Sequence, residues 1–144
     1  MRILFAAGTQ FPFPRMDQVV QGVAEQRPAW TLVYQAGPDA DLSTLGSSPN
    51  LLAQPLFKAE EYQQLFAEAA LVVTHAGMGN ILACLEQGKP FLMLPRLARL
   101  GEHRNDHQLD TAEAITESYG IPFYKDADAL VGSILTYDAS SAPV

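Results

Sequence analysis

Residues 71–95, LVVTHAGMGNILACLEQGKPFLMLP, constrain the fold of this chain more than any other stretch. Leu71–Thr74 is a short apolar, β-branched run that ends in a glycine turn, the pattern of a strand covered on both faces. Two glycines two apart, Gly77 and Gly79, lead into a helix over Met78–Gln87. A second turn at Gly88 leads to another buried strand over residues 91–94. A helix linking two fully buried strands is a crossover unit, and such strands run parallel with a right-handed connection.

The same alternation extends along the chain. Residues 3–7 read as a strand ending at Gly8. The two prolines in residues 11–14 delay a helix until about Pro14, and Met16, Val19, Val20 and Val23 then give an amphipathic helix that stops before Pro28. A second strand is expected over 30–35, a loop rich in Gly, Ser, Pro and Asp over 36–49, and a short third strand over 51–56, interrupted by Pro55. Residues 59–70 form a helix with Tyr62, Leu65, Phe66 and Ala69 on one face. The longest helix is expected over 104–119, its inner face formed by Gln108, Leu109, Ala112, Ile115 and Tyr119. A last strand over 121–124 and a last helix over 126–135 follow, with Asp126 or Asp128 as the cap. The pattern predicts an α/β fold: a three-layer parallel sheet with helices on both faces, in a single domain over 1–138, and a loose tail over 139–144.

Composition narrows the function. A net charge of −7 over 144 residues argues against a general nucleic-acid binder, which needs a basic field. It does not oppose one small anion, because helix N-termini and a few cations can hold that. The single Cys84 excludes an internal disulfide, and no Cys/His group has zinc-site spacing, so a reducing cytoplasm fits best. MRILFAAG reads as a first strand and not as a signal peptide. The apolar runs fall far short of the roughly 20 residues that cross a bilayer.

Ligands of parallel sheets bind outside the carboxyl ends of the strands, which directs attention to the turns at 8–10, 36–38, 74–80 and 95–105. In Thr74-His75-Ala76-Gly77-Met78-Gly79-Asn80, the helix start can aim free N–H groups and a positive dipole end at a phosphate. Asn80 suits a helix start and could also donate to an anion. The alternative is a structural turn whose glycines only let strand and helix pack closely, since the full dinucleotide fingerprint is missing. Gly8-Thr9-Gln10 sits similarly after the first strand and carries the same two readings.

Residues 95–108, PRLARLGEHRNDHQ, hold three of the nine Lys and Arg residues and two of the three histidines of an acidic protein. A local cation cluster there suits a diphosphate, with Asn105, Asp106 and Gln108 available for sugar hydroxyls. The alternative is a solvated loop in which Asn105 or Asp106 caps the next helix. His75 is either a satisfied strand-end histidine or a catalyst, Cys84 belongs to an apolar helix face, and Glu86 and Lys89 are surface charges at a helix end. No Ser/His/Asp order, metal triad or paired carboxylates stand out, which argues against a self-contained hydrolase.

Four motifs in order, Gly8-Thr9-Gln10-Phe11-Pro12-Phe13, His75-Ala76-Gly77-Met78-Gly79, Leu85-Glu86-Gln87-Gly88-Lys89-Pro90 and Gly101-Glu102-His103-Arg104-Asn105-Asp106-His107-Gln108, resemble the C-terminal, UDP-sugar-binding domain of family 28 glycosyltransferases. The resemblance runs from residue 3 to about 119. It is similar to the soluble subunits of split, two-component enzymes of bacterial capsule and exopolysaccharide synthesis, and to the eukaryotic dolichol-linked UDP-N-acetylglucosamine transferase. It implies a Rossmann-like unit, one half of a GT-B glycosyltransferase, that moves a hexose-type sugar from a UDP-sugar to a lipid-linked acceptor. A membrane-anchored partner subunit would bind the acceptor and supply the general base, holding this chain at the cytoplasmic face of the inner membrane. No metal or other cofactor is expected, because helix dipole and cations stabilise the departing UDP.

By position, the resemblance puts Gly8 and Thr9 near the donor phosphates. Gly77, Met78, Gly79 and Asn80 would meet the diphosphate through backbone N–H groups at the helix start. Asn105, His107 and Gln108 would approach the donor sugar. Gln10, His75, Arg96, His103 and Asp106 are further candidate substrate contacts. One departure stands inside the second motif's helix. The family places a ribose-gripping carboxylate where this chain has Ala83. Glu86, rotated by about 60° and about 4.5 Å farther along the helix, is the candidate substitute. Two other readings follow: a non-catalytic accessory subunit that stabilises a partner transferase, and a sugar-nucleotide epimerase-like enzyme, which would need a second domain to close the crevice.

Overall fold

The computed structural model describes residues 1–45 and 48–137, so the expected tail at 139–144 lies outside the described residues. In chain order the elements are β1 (Arg2–Ala6), α1 (Pro14–Gln26), β2 (Thr31–Gln35), β3 (Leu51–Gln54), α2 (Ala59–Glu68), β4 (Leu71–Thr74), α3 (Met78–Gln87), β5 (Phe91–Met93), α4 (His107–Tyr119) and α5 (Ala127–Leu135). The five strands form one parallel sheet in the order β3-β2-β1-β4-β5. Strand succession runs one way from β1 to β3 and the other way from β4 to β5. The switch point therefore lies between β1 and β4, where Ile3 pairs with Leu71 and Ala6 with Thr74.

The strict alternation of a strand sorts its side chains to two faces. Ile3, Phe5, Leu32, Tyr34, Leu71 and Val73 pack on one face against Val19, Val20 and Val23 of α1 and Leu130 and Ile134 of α5. Leu4, Val33, Val72 and Met93 pack on the other against Phe66 of α2, Ile81 and Cys84 of α3, and Ala112 and Ile115 of α4. Helices thus cover both faces, as the near-continuous apolar strands require. Burial pushes the Cys84 thiol up to about 12, so it behaves as a small apolar group.

Several boundaries differ from the sequence reading. Residues 121–124 make only an isolated parallel bridge, between Phe123 and Met93, in place of a sixth strand. Pro122 gives up a ladder N–H, although its carbonyl accepts from Met93 N. The third strand stops at Gln54, before Pro55. The helix expected to be the longest begins at His107, not at 104, so its 13 residues only equal those of α1; a 3₁₀ turn over Ala98–Leu100 precedes it. Tyr119, expected on the inner face of α4, is 60% exposed. At α5 the cap is Asp126, whose carboxylate accepts from Ala129 N at 3.0 Å.

Candidate functional site

The loops after β1, β4 and β5, with the ends of β2 and α2, enclose a crevice of about 590 Å³ on the α2/α3 side of the sheet's carboxyl edge. That volume suits a small ligand of nucleotide size. Gly8, Thr9 and Gln10 line it from β1, and His75, Gly77, Gly79 and Asn80 from β4 and α3. Arg96, His103 and Gln108 line it from the segment after β5.

At its centre lies the His75 ring, packed against two glycines. A Cβ on Gly8 would fall 2.7 Å from His75 Cε1, and one on Gly77 would fall 2.4 Å from it. Gly8 also has φ of +95°, which disfavours other residues. Gly77 has ordinary extended geometry, so only the imbalance of space beside the ring demands glycine there.

Gln108 holds this ring in place. Its Oε1 accepts from Ala76 N at 3.2 Å and from Arg96 N at 3.0 Å, which makes that atom the carbonyl oxygen. Its Nε2, 3.0 Å from His75 Nδ1, is then the donor, and the His75 proton sits on Nε2. Burial, with the nearby Arg96 charge, lowers the His75 pKa from 6.5 to about 4. The ring is neutral at pH 7, one nitrogen accepting from Gln108 and the other an N–H donor facing the glycine loops. That arrangement donates to an oxygen and does not suit a general base.

Gly77 is the N-cap of α3, with no side-chain cap. Asn80 is the third residue of the helix, in its first turn, and its amide is engaged by protein groups and does not cap the helix. Its Oδ1 accepts from the Tyr62 hydroxyl at 2.9 Å, and its Nδ2 donates to Thr74 Oγ1 at 3.2 Å. Thr74, fully buried, donates to His75 O at 2.7 Å. The first-turn N–H groups of α3 are thereby left open beside Gly77 and Gly79, which line the crevice, at the positive end of a ten-residue helix.

The basic segment is arranged differently from a cluster of free cations. Arg96 is 3% exposed, and its guanidinium donates to the carbonyls of Ala7 at 2.6 Å, Phe11 at 2.8 Å and Pro12 at 2.9 Å. It also stacks 4.4 Å from the Phe13 ring centroid. Arg96 therefore fixes the path of the glycine loop after β1, and its charge lies beneath the crevice. Glu102 accepts from Arg15 through both oxygens, at 2.8 and 2.9 Å, and from Leu97 N at 3.0 Å. Arg99 and Arg104 are exposed and do not line the crevice. Asn105 and Asp106 turn inward to the backbone, accepting from His107 N and Ala98 N, each at 3.0 Å.

Met78, Asn105, Asp106 and His107 do not line the crevice. Neither does Ala83 or Glu86, and the latter is exposed on α3. Lys89 folds onto the end of α2, donating to Ala69 O at 2.7 Å. Among the described residues, no three His, Cys, Asp or Glu side chains converge as a metal site. The structure adds Gln35, Phe57, Tyr62 and Gln63 to the lining. Gln35 carried one overlooked signal, its position as the last residue of a strand at the ligand-binding edge.

A parallel sheet with a crevice at its switch point, floored by two glycine loops, defines a Rossmann-like α/β domain. Residues 2–132 match the model of the glycosyltransferase family 28 C-terminal domain, and the chain belongs to that family. Among solved structures it is similar to the glycotransferase of kitacinnamycin, with 25% identity and a TM-score of 0.67 over 93% of this chain and 34% of that one. CalG4, the calicheamicin glycosyltransferase, aligns at 18% identity and a TM-score of 0.70, over 97% of this chain and 35% of that one. MurG of Acinetobacter baumannii aligns at 16% identity and 0.62, over 97% and 44%. The chain thus spans less than half of each enzyme, and its fold is one half of a GT-B glycosyltransferase. No curated protein sequence matches it.

Proposed function

We propose that this chain is the donor-binding half of a two-component glycosyltransferase, moving a hexose-type sugar from a UDP-sugar to a lipid-linked acceptor in polysaccharide synthesis. The observation that carries the proposal is the uncapped first turn of α3, opening on a crevice beside the His75 Nε2–H donor. The acceptor hydroxyl attacks the anomeric carbon, the bond from that carbon to the β-phosphate oxygen breaks, and UDP leaves with the added negative charge. The α3 N–H groups, its dipole and the Arg96 charge beneath stabilise that charge, with no metal or other cofactor assigned a role. The hydroxyl proton goes to a general base on the partner subunit. His103 and Gln108, with its one unused N–H, stand at the β5 side, where the sugar would lie.

A partner fits the exposed apolar residues around the crevice, Phe11 at 52%, Leu100 at 48% and Met78 at 48%. In this reading a membrane-anchored partner holds the chain at the cytoplasmic face; among the described residues no helix is long and apolar enough to cross a membrane. Titration calorimetry with UDP tests the reading. Binding that is lost in Gly79→Asp, which sets a carboxylate at the helix start, supports it; no binding at millimolar UDP, with or without a partner, overturns it. The position of Glu86 outside the crevice favours a second reading, a non-catalytic accessory subunit, which predicts that second result.

A further inference from the structure

We infer that Gln35 reads the nucleobase of the bound nucleoside diphosphate, donating to a carbonyl oxygen of a uracil-type base and disfavouring an amino-bearing one. The inference rests on the donor-binding reading above and specifies one end of the same crevice. Gln35 is 4% exposed and lines that crevice from the carboxyl end of β2. Its Oε1 accepts from Phe57 N at 3.0 Å. A backbone N–H can only donate, so this bond fixes the amide orientation and makes the other arm Nε2. That arm carries two N–H donors and has no partner among the described residues. Nε2 keeps access to solvent through the crevice that Gln35 lines, so a ligand there can take the place of water as its acceptor.

Position along the sheet edge says which part of a ligand meets it. The helix start of α3 and His75 stand at the β4 side of β1, whereas Gln35 stands at the β2 side. A diphosphate at the switch point therefore leaves Gln35, with Phe57 bonded to it, at the end away from Gln108, while the Tyr62 hydroxyl reaches across to Asn80. That end offers the Phe57 side chain and a rigid pair of donors. A uracil O4 can accept from them, whereas the amino group at the same position of cytosine would face donor with donor.

The test is calorimetric titration of the 144-residue chain with UDP, CDP and pyrophosphate, in wild type and in Gln35→Glu at pH 8. Glutamate keeps an oxygen for Phe57 N–H and replaces the donors by an acceptor. Wild type should prefer UDP over CDP by about tenfold, and Gln35→Glu should erase or invert that ratio with pyrophosphate binding unchanged. A wild type that does not discriminate, or a variant that keeps the wild-type ratio, overturns the inference while leaving diphosphate binding intact. A wild type that binds neither UDP nor pyrophosphate removes the donor-binding reading and this inference together. Should circular dichroism show that Gln35→Glu does not fold, Gln35→Met carries the test: UDP affinity should fall about tenfold, and an unchanged affinity overturns the assignment.

Discussion

The imidazole of His75 occupies the space that a side chain at Gly77 would need: a Cβ there would lie 2.4 Å from Cε1 and 2.6 Å from Nε2. The two residues are thus one steric unit. Gly77→Ala must either push the ring off its Gln108 hydrogen bond or shift the start of α3, costing about 1–3 kcal/mol. Gly79→Ala meets nothing within 4 Å and should leave stability unchanged or raise it by up to about 1 kcal/mol. Urea denaturation of both, and of the His75→Ala/Gly77→Ala pair, checks this. The pair should cost less than the sum of the single changes.

Gln108 serves the fold before it serves any ligand. Gln108→Ala strands the Ala76 and Arg96 N–H groups and the His75 Nδ1, so we expect a loss of about 2–3 kcal/mol in denaturant unfolding. A loss below about 0.5 kcal/mol would show that solvent replaces the amide without cost. The sequence reading made Gln108 a sugar contact and an inner-face residue of its helix; its bonds to Ala76, Arg96 and His75 make a loss of stability the expected outcome.

The pH dependence of stability follows from His75. Its folded pKa, about 4, lies below the unfolded 6.5, so the unfolded chain binds the extra proton between those values. The contribution is complete above pH 6.5 and is lost as pH falls toward 4. Gln108→Glu would pair a carboxylate with the ring and favour its charged form. Nuclear magnetic resonance titration should then find a His75 pKa well above about 4, and thermal melts should show a weaker acid-side loss than wild type.

Arg96→Lys keeps a positive charge but loses the fork that spans the Ala7, Phe11 and Pro12 carbonyls. We expect about 2–4 kcal/mol of destabilisation and weaker UDP binding as the glycine loop after β1 loosens. Unfolding and titration on one sample separate the two. A stable variant with unchanged UDP affinity would mean that charge alone is what this position supplies.

Much of the architecture was legible along the chain because it depends on neighbours a few residues apart. β4 and α3 match the expected spans, since their apolar runs and flanking glycines act locally. The strand expected over 121–124 was not, because a sheet edge is completed by pairing, and Pro122 limits the pairing to one bridge. Tyr119 carried the right period for an inner face but falls at the exposed end of α4.

The sequence by itself determined the parallel α/β sheet, the edge at which a ligand can bind, and the glycine turns that leave room there. Tertiary structure decided which polar groups remain free at that edge. Gln108 reaches His75 33 residues away, Arg96 reaches Phe11 85 residues away, and Gln35 spans 22 residues to Phe57. Arg96 and Gln108 read in sequence as groups available to a ligand, whereas Gln35 reads only as the end of a strand. Burial obliges polar atoms to find partners, and the fold alone sets which partners come within reach. By that logic Arg96 and the Gln108 carbonyl are committed to the protein, while the Gln35 amide still faces the crevice with two donors to give.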